Sequence, residues 1–283
     1  MSLDADLARW REHLSRFAAL LGDPPDRHAP PAREASPGHA LIFAPHPDDE
    51  CIVGALPLRL QQEAGWRISN VAVTLGSNPE RRESRWAELL DACGVLGFDC
   101  IRIGAEGLSD VRGDTAERAP QLWQLHVETI AALLVAHRPA LVLAPHALDD
   151  NPSHRGVYRL VAEALAAARL DTVLAHTEFW STQGQPNALV QSGIADTARL
   201  ITALERHTGE IERNPYHLRL PAFLADAVRR GGELVQGAGE AAPDFAFATC
   251  YRLVTYGAGQ PVAELPRRVF PADQALSSAL LKP

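Results

Sequence analysis

Short apolar runs alternate with longer amphipathic segments over most of the chain. The first two runs are Ala40–Pro45 and Ser69–Leu75, and each is followed by apolar residues at helical spacing. Runs of this length are typical of strands in a buried parallel sheet, and apolar residues at i, i+3, i+4 and i+7 predict helices with one buried face. The other predicted strands are 100–103, 140–145 and 172–180, and the predicted helices are 49–64, 80–96, 120–137, 153–169, 194–213 and 219–231.

The alternation of strands and helices predicts an α/β fold, a Rossmann-like three-layer sandwich with a mostly parallel sheet. Pro57 lies inside the predicted helix 49–64 and predicts a kink or a break there. A last strand, predicted at 245–256, is a candidate to join the sheet antiparallel. Ligands of such sheets bind beyond the carboxyl ends of the strands. Two of the predicted strands end in Ala-Pro-His, at 44–46 and 144–146, so these two loops are the first candidates for a functional site.

The first forty residues differ from the rest. Residues 4–21 have apolar side chains at helical spacing, which predicts a helix that packs on the domain or on a partner subunit. Residues 23–39 are rich in proline and charge and predict an extended connector. We therefore expect an N-terminal helix and connector over 1–39 and a single domain over 40–283, with the helix as a candidate contact in a homo-oligomer.

Bulk composition narrows the function classes. The 283 residues are 46% apolar and 22% charged, which is typical of globular proteins, and the net charge of −8 disfavours a nucleic-acid binder. None of the four cysteines forms a CxxC pair, so we expect buried, reduced thiols and a cytoplasmic location. The first residues do not resemble a signal peptide, and there is no apolar run of 18 residues, so we expect no transmembrane segment.

The loop Pro45–Glu50 places one imidazole and three carboxylates, His46, Asp48, Asp49 and Glu50, within five positions. Clustered acids repel one another unless a cation is present, and histidine and aspartate are ordinary zinc ligands. A helix N-terminus that favours acidic residues is the alternative explanation. It accounts for Asp49 and Glu50, but not for His46 between two prolines.

The second loop carries His146, Asp149, Asp150, Asn151 and His154. Asn151 or Asp150 can cap the next helix, with Pro152 at its first position, and this capped helix with chance histidines is the alternative to a functional site. His154 falls in the first helical turn. His46, Asp49 and His154 therefore form a candidate metal site of two histidines and one aspartate.

The Pro-His-Pro-Asp-Asp-Glu sequence at 45–50 resembles the signature of the PIG-L/LmbE-like deacetylases, which are zinc enzymes with a Rossmann-like fold that act on N-acetylglucosamine-containing substrates. The resemblance extends over roughly residues 40–215. It implies Zn²⁺ held by His46, Asp49 and His154, with Asp48 as the general base, and an amino-sugar substrate. The other matching stretches are Thr74-Leu75-Gly76, Arg85 with Glu88, Asn151–His154, Pro186-Asn187 with Val190, and His207.

The chain departs from the family pattern at Asn151, where many members have histidine, and at Ser153, where they have aspartate. Asparagine can donate a hydrogen bond to an oxyanion but cannot supply a proton. We therefore hypothesise that His146 or His207 takes over the missing catalytic role beside Asn151, with Asp48 carrying the proton.

Two further side chains are candidate substrate contacts. The resemblance implies that Arg85 faces the substrate and that Glu88 braces the metal loop, whereas an exposed ion pair on one helix face is the simpler explanation. Trp180 follows a predicted strand and can stack on a sugar ring or pack in the core.

Three functions remain open. The first is a zinc-dependent hydrolase that removes acetyl groups from N-acetylated amino sugars. The second keeps the metal site but cleaves another amide, such as that of a thiol–sugar conjugate. The third is a Rossmann-like binding module without chemistry, which the absence of a GxGxxG motif disfavours.

Overall fold

The computed structural model describes residues 2–23 and 37–276 and places a mostly parallel sheet between two layers of helices. The predicted α/β sandwich is confirmed. The strands are β1 His39–Ala44, β2 Arg67–Ala72, β3 Asp99–Arg102, β4 Leu141–Ala144, β5 Thr172–Thr177, β6 Ala188–Gln191, β7 Ala248–Gly257, β8 Gln260–Glu264 and β9 Arg268–Phe270. The helices are α1 Leu3–Leu20, α2 Asp49–Ile52, α3 Ala55–Ala64, α4 Arg82–Leu96, α5 Thr115–Arg118, α6 Pro120–His137, α7 Pro152–Ala168, α8 Ile194–Leu204, α9 Thr208–Arg213 and α10 Tyr216–Gly231.

The sheet order is β3-β2-β1-β4-β5-β7-β6-β9, with β8 paired to β7. Strands β1 to β5 run parallel, and β7 pairs antiparallel with both β5 and β6, which confirms the predicted antiparallel strand near the C-terminus. Side chains of β1 alternate between two cores: Ala40 and Ile42 face one helical layer, and Leu41 and Phe43 face the other. This alternation follows from the two-residue period of a strand.

The predicted helix 49–64 is broken at Gly54, three residues before Pro57. Gly54 has φ +82°, and a Cβ there would lie 2.1 Å from the Thr249 hydroxyl. The Tyr251 hydroxyl donates to the Val53 carbonyl at 2.5 Å and so holds the break in place. Pro57 lies in the first turn of α3, where its missing N–H leaves no helical bond unmade.

A single helix over 194–213 was the wrong prediction, because the chain turns between α8 and α9. His207 is the residue before α9, with φ −81° and ψ 64°, and its side chain is fully buried. The His207 imidazole lies 2.6 Å from the Glu50 carboxylate, a contact across 157 residues that local periodicity does not reveal.

Helix α1 packs on the domain rather than standing free. Leu14 and Ala18 are buried, and Arg9 pairs with Glu205 beyond the end of α8 at 2.8 Å. Residues 24–36, where the sequence predicts most of the connector, lie outside the described residues. Among the helices described, none has both the length and the apolar character needed to cross a membrane.

The sequence patterns missed three short strands, β6, β8 and β9. Strand β8 is exposed along its length and contains Pro261, so it has neither an apolar run nor an alternating pattern. Strands β6 and β9 have only four and three residues, and pairing partners rather than local periodicity define them.

Candidate metal centre and active-site cavity

The two loops singled out in the sequence meet beyond neighbouring strands. Strands β1 and β4 pair in parallel, so Pro45-His46 and Pro145-His146 leave the same edge of the sheet. This is also where the strand order changes direction, from β3-β2-β1 to β4-β5, and such a switch point opens a crevice between the loops.

Three side-chain atoms converge in that crevice, from His46, Asp49 and His154. The His46 Nδ1 atom lies 3.3 Å from the Asp49 Oδ2 atom and 3.3 Å from the His154 Nε2 atom. The His154 Nε2 and Asp49 Oδ2 atoms are 3.5 Å apart. Zinc bonds of about 2.0–2.1 Å at tetrahedral angles separate the ligand atoms by about 3.3–3.4 Å. The spacing of the three atoms therefore fits one tetrahedral transition-metal ion with a fourth position left over.

Asp149 orients the His154 ring. The His154 Nδ1 atom lies 2.9 Å from the Asp149 Oδ2 atom, and both side chains are buried. A neutral imidazole that donates from Nδ1 presents the Nε2 lone pair to the other two ligands. The local sequence motifs assign no role to Asp149. The general rule that metal-bound histidines hydrogen-bond a carboxylate through their second nitrogen is the signal that identifies it.

Asp48 sits beside the three ligands with a strained backbone, at φ +121°. Its N–H donates to the Glu50 carboxylate at 3.0 Å, and Glu50 in turn contacts His207. The pKa of Asp48 is raised well above its ordinary value, because burial and the neighbouring Asp49 charge disfavour ionisation, although His207 and Arg85 oppose this. The pair Glu50 and His207 thus supports the turn that directs Asp48 into the crevice.

Two residues of the family-like motifs, Thr74 and Arg85, contact the Pro45–Glu50 loop, although the resemblance implies that Arg85 faces the substrate. The Thr74 hydroxyl donates to the Pro45 carbonyl at 2.7 Å, and the Arg85 guanidinium donates to the Pro47 carbonyl at 2.9 Å. The expectation that Glu88 supports this loop is not met. The Glu88 carboxylate instead accepts from the Thr208 hydroxyl and the Gly209 N–H at the start of α9.

The crevice is a cavity of about 840 Å³. Its walls include the three candidate metal ligands, Asp48 and Arg85, together with Asn151 and Trp180. Asn151 caps α7 by accepting from the Ser153 N–H at 2.9 Å. Trp180 has φ +77° and stacks on Phe223 with ring centroids 5.1 Å apart, so it is both packed and exposed to the cavity.

His146 and His207 are not among the residues that line this cavity in the described part of the chain. The His146 Nε2 atom lies 3.0 Å from the Ser181 carbonyl, and the side chain is 5% exposed. His207 is completely buried against Glu50 and is therefore not an exposed residue on a helix surface.

Comparison with known proteins places this site in a family context. Residues 41–165 match the family model described as PIG-L, GlcNAc-PI de-N-acetylase, which confirms the resemblance read from the motifs. A curated relative is 1D-myo-inositol 2-acetamido-2-deoxy-alpha-D-glucopyranoside deacetylase of Thermobifida fusca (strain YX), 28% identical over 55% of this chain. The match spans 65% of that relative's length.

Two solved structures share the fold at low identity. N,N'-diacetylchitobiose deacetylase from Pyrococcus horikoshii has a TM-score of 0.57 and 14% identity, covering 78% of this chain and 84% of its own. The 4-carboxy-2-hydroxymuconate hydratase of Pseudomonas putida has a TM-score of 0.56 and 17% identity, covering 77% and 96%. Since one of these is named a deacetylase and the other a hydratase, the fold alone does not determine the reaction.

Proposed function

Starting from the match of residues 41–165 to the PIG-L family, we propose that this protein is a zinc-dependent hydrolase that removes the acetyl group from an N-acetylated amino sugar or sugar conjugate. The observation that carries the proposal is the set of three ligand atoms from His46, Asp49 and His154 at mutual distances of 3.3–3.5 Å, next to a second carboxylate, that of Asp48, which is not one of them. A module that only binds a ligand has no use for this additional carboxylate.

Two imidazoles and one carboxylate favour zinc over magnesium or calcium, which prefer oxygen ligands. A bound Zn²⁺ would acidify a water molecule and polarise the acyl carbonyl. Among the described residues, His46, Asp49 and His154 form the group that would hold the ion, and a zinc ion with these three ligands would keep a fourth position for water or substrate.

Asp48 is the general base and then the general acid. Its carboxylate accepts a proton from the attacking water as the oxygen adds to the acetyl carbon. When the C–N bond breaks, the same carboxyl returns the proton to the departing nitrogen, which leaves as an amine while acetate forms. Its half-buried position at the cavity wall and its supported backbone suit a group that must reach both atoms.

The oxyanion and the substrate require other side chains. We assign Asn151 the role of hydrogen-bond donor to the developing oxyanion, because its Oδ1 atom caps α7 while its amide group remains at the cavity. His146 and His207 act as positioning residues behind the wall rather than as direct proton donors. Arg85, which contacts the Pro45–Glu50 loop, and Trp180 bind the sugar from the cavity wall.

The test is release of free amine from N-acetylglucosamine, N,N'-diacetylchitobiose and 1D-myo-inositol 2-acetamido-2-deoxy-α-D-glucopyranoside, together with the zinc content of the purified protein. Asp48→Asn should lower kcat by about 100-fold or more while zinc stays bound, because the base is lost and the ligands are kept. Asp150→Asn, an exposed carboxylate in the second loop, is the matched control.

Each alternative function has its own outcome. Turnover of a thiol–sugar amide with none of the three acetyl sugars would support the second amidase function. Sugar binding without any amine release, in a zinc-loaded preparation, would support the non-catalytic module. Full activity after removal of transition metals would refute the proposal outright.

We also propose that the protein is located in the cytoplasm. All four cysteines are free thiols, and three of them are buried. A reducing compartment such as the cytoplasm is consistent with them.

A further inference from the structure

Three arginine side chains gather around one buried carboxylate on the cavity wall, and we call Arg81, Arg85 and Arg213 the arginine cluster. The Arg213 Nη2 atom lies 2.6 Å from the Glu210 Oε2 atom. The Arg81 Nη1 and Arg85 Nε atoms lie 3.2 Å and 3.7 Å from the Glu210 Oε1 atom. Across residues 2–23 and 37–276, Glu210 is the carboxylate with which each of the three is ion-paired.

One negative charge cannot neutralise three positive ones. Burial alone would raise the pKa of Glu210, but the hydrogen bond from Arg213 and the charge of Arg85 hold that pKa below its ordinary value. Glu210 is therefore ionised at neutral pH, and it offsets one of the three positive charges of the cluster.

The backbone leaves room for the guanidinium groups. A Cβ on Gly76 would lie 2.2 Å from the Arg85 Nη1 atom, and a Cβ on Gly209 would lie 2.2 Å from the Arg81 Nη2 atom. Both guanidinium groups therefore lie directly against the main chain at glycines, where a larger residue would displace them. Arg213 differs, because its side chain is 65% exposed and can reach a bound molecule.

The arginine cluster adjoins the reaction centre. Arg85 connects the two, because it donates to the Pro47 carbonyl of the metal loop and also faces Glu210. Two more arginines of the cavity, Arg82 and Arg112, pair with Glu106 and Asp114 instead. The arginine cluster thus lies next to the loop that carries the candidate ligands His46 and Asp49.

We propose that the arginine cluster binds an anionic substituent, a phosphate or a carboxylate, on the sugar conjugate from which the acetyl group is removed. This inference rests on the proposed function in one respect, namely that the group removed from the conjugate is an acetyl group. A guanidinium offers a planar fork of donors that matches the oxygens of either anion, and charge-assisted bonds of this kind are the stronger ones. Glu210 keeps the three guanidiniums together when no anion is bound.

The experiment measures calorimetric binding of probes that contain no amide. Glucose is compared with glucose 6-phosphate, glucose 1-phosphate and glucuronate, so the phosphate and carboxylate sources are separated. The test variants are Arg213→Gln and Arg81→Gln. The control is Arg229→Gln, because Arg229 is 64% exposed and pairs with an acid three residues away, as Arg213 does.

At least one anionic probe should bind about 10- to 100-fold more tightly than glucose to the wild type and to Arg229→Gln. The preference should fall by about tenfold or more in each test variant, and it should weaken as salt is added. Use of two separate test variants guards against one that fails to fold.

Equal binding of glucose and every anionic probe would overturn the inference. So would a preference that survives both test variants, because the anion would then be held by the metal centre. A protein that shows the preference but releases no amine from acetylated sugars would contradict the proposed function and leave the arginine cluster standing.

Discussion

Replacement of Asp149 by asparagine tests whether Asp149 fixes the orientation and tautomer of the His154 ring for metal binding. The Asp149 Oδ2 atom lies 2.9 Å from His154 Nδ1, and the Oδ1 atom accepts from the Asn151 N–H at 2.8 Å. An asparagine has one acceptor oxygen, so it cannot serve both donors, and its NH₂ group must face one of them. Either His154 loses its fixed tautomer or the loop shifts.

The expected magnitude follows from the role of such carboxylates. Loss of a hydrogen-bond partner behind a metal-bound histidine lowers metal affinity by about 10- to 100-fold, which corresponds to about 1.4–2.7 kcal/mol. The burial of both side chains argues against rescue by solvent, since the carboxylate is 1% exposed and the imidazole 6%.

The assay is competition for Zn²⁺ against a chromophoric chelator, with wild type, Asp149→Asn and Asp150→Asn measured in parallel. Asp150 is exposed and has the same charge in the same loop, but its carboxylate accepts from the Ser181 hydroxyl, whereas that of Asp149 contacts His154. Its substitution should change affinity by less than about threefold. Equal zinc affinities for all three proteins would refute the proposed orientation of His154.

Three further predictions concern stability. Gly54→Ala should destabilise the fold by about 3 kcal/mol in urea unfolding, because φ is +82° and the added methyl group meets Thr249, and an unchanged midpoint would contradict this. Burial lowers the pKa of His176 to about 4. The unfolded chain therefore takes up this proton first, and stability should fall as pH drops through 6.5 towards 4, by about 2 kcal/mol at pH 5. His176→Gln should lack that part of the loss, so parallel pH curves for the two proteins would count against it. Zinc at about 100 times its Kd should stabilise the protein by about 2.7 kcal/mol, so EDTA should lower Tm by about 5–10 °C in wild type, whereas His154→Ala should show little change on chelation.

Local patterns along the chain were sufficient for much of the fold. The helix predicted at 120–137 has those bounds in the structure, because a proline opens it and apolar residues recur at helical spacing. The strand predicted at 40–45 corresponds to β1, His39–Ala44, and the candidate loop follows it as predicted. Candidate ligands that are close together in the sequence, such as His46 and Asp49 three residues later, can also be recognised from the sequence alone.

Contacts between distant segments required the tertiary structure. His207 lies between α8 and α9, and its ring contacts the carboxylate of Glu50, which is 157 positions away in the chain. The periodicity of apolar residues within 194–213 does not reveal this contact between His207 and Glu50. The roles of Asp149 and Glu88 were missed or misassigned for the same reason, since each depends on which side chain it meets in space.

The sequence by itself determined the alternation of strands and helices, the edge of the sheet where ligands bind, and the motif that contains the candidate metal ligands, because these depend on short-range spacing. Only the tertiary structure decided the 3.3–3.5 Å arrangement of the three ligand atoms and the meeting of Arg81 and Arg85 with Glu210. The physical reason is that charge and coordination depend on distance in space, and residues far apart in the chain are brought within that distance by packing of the whole core.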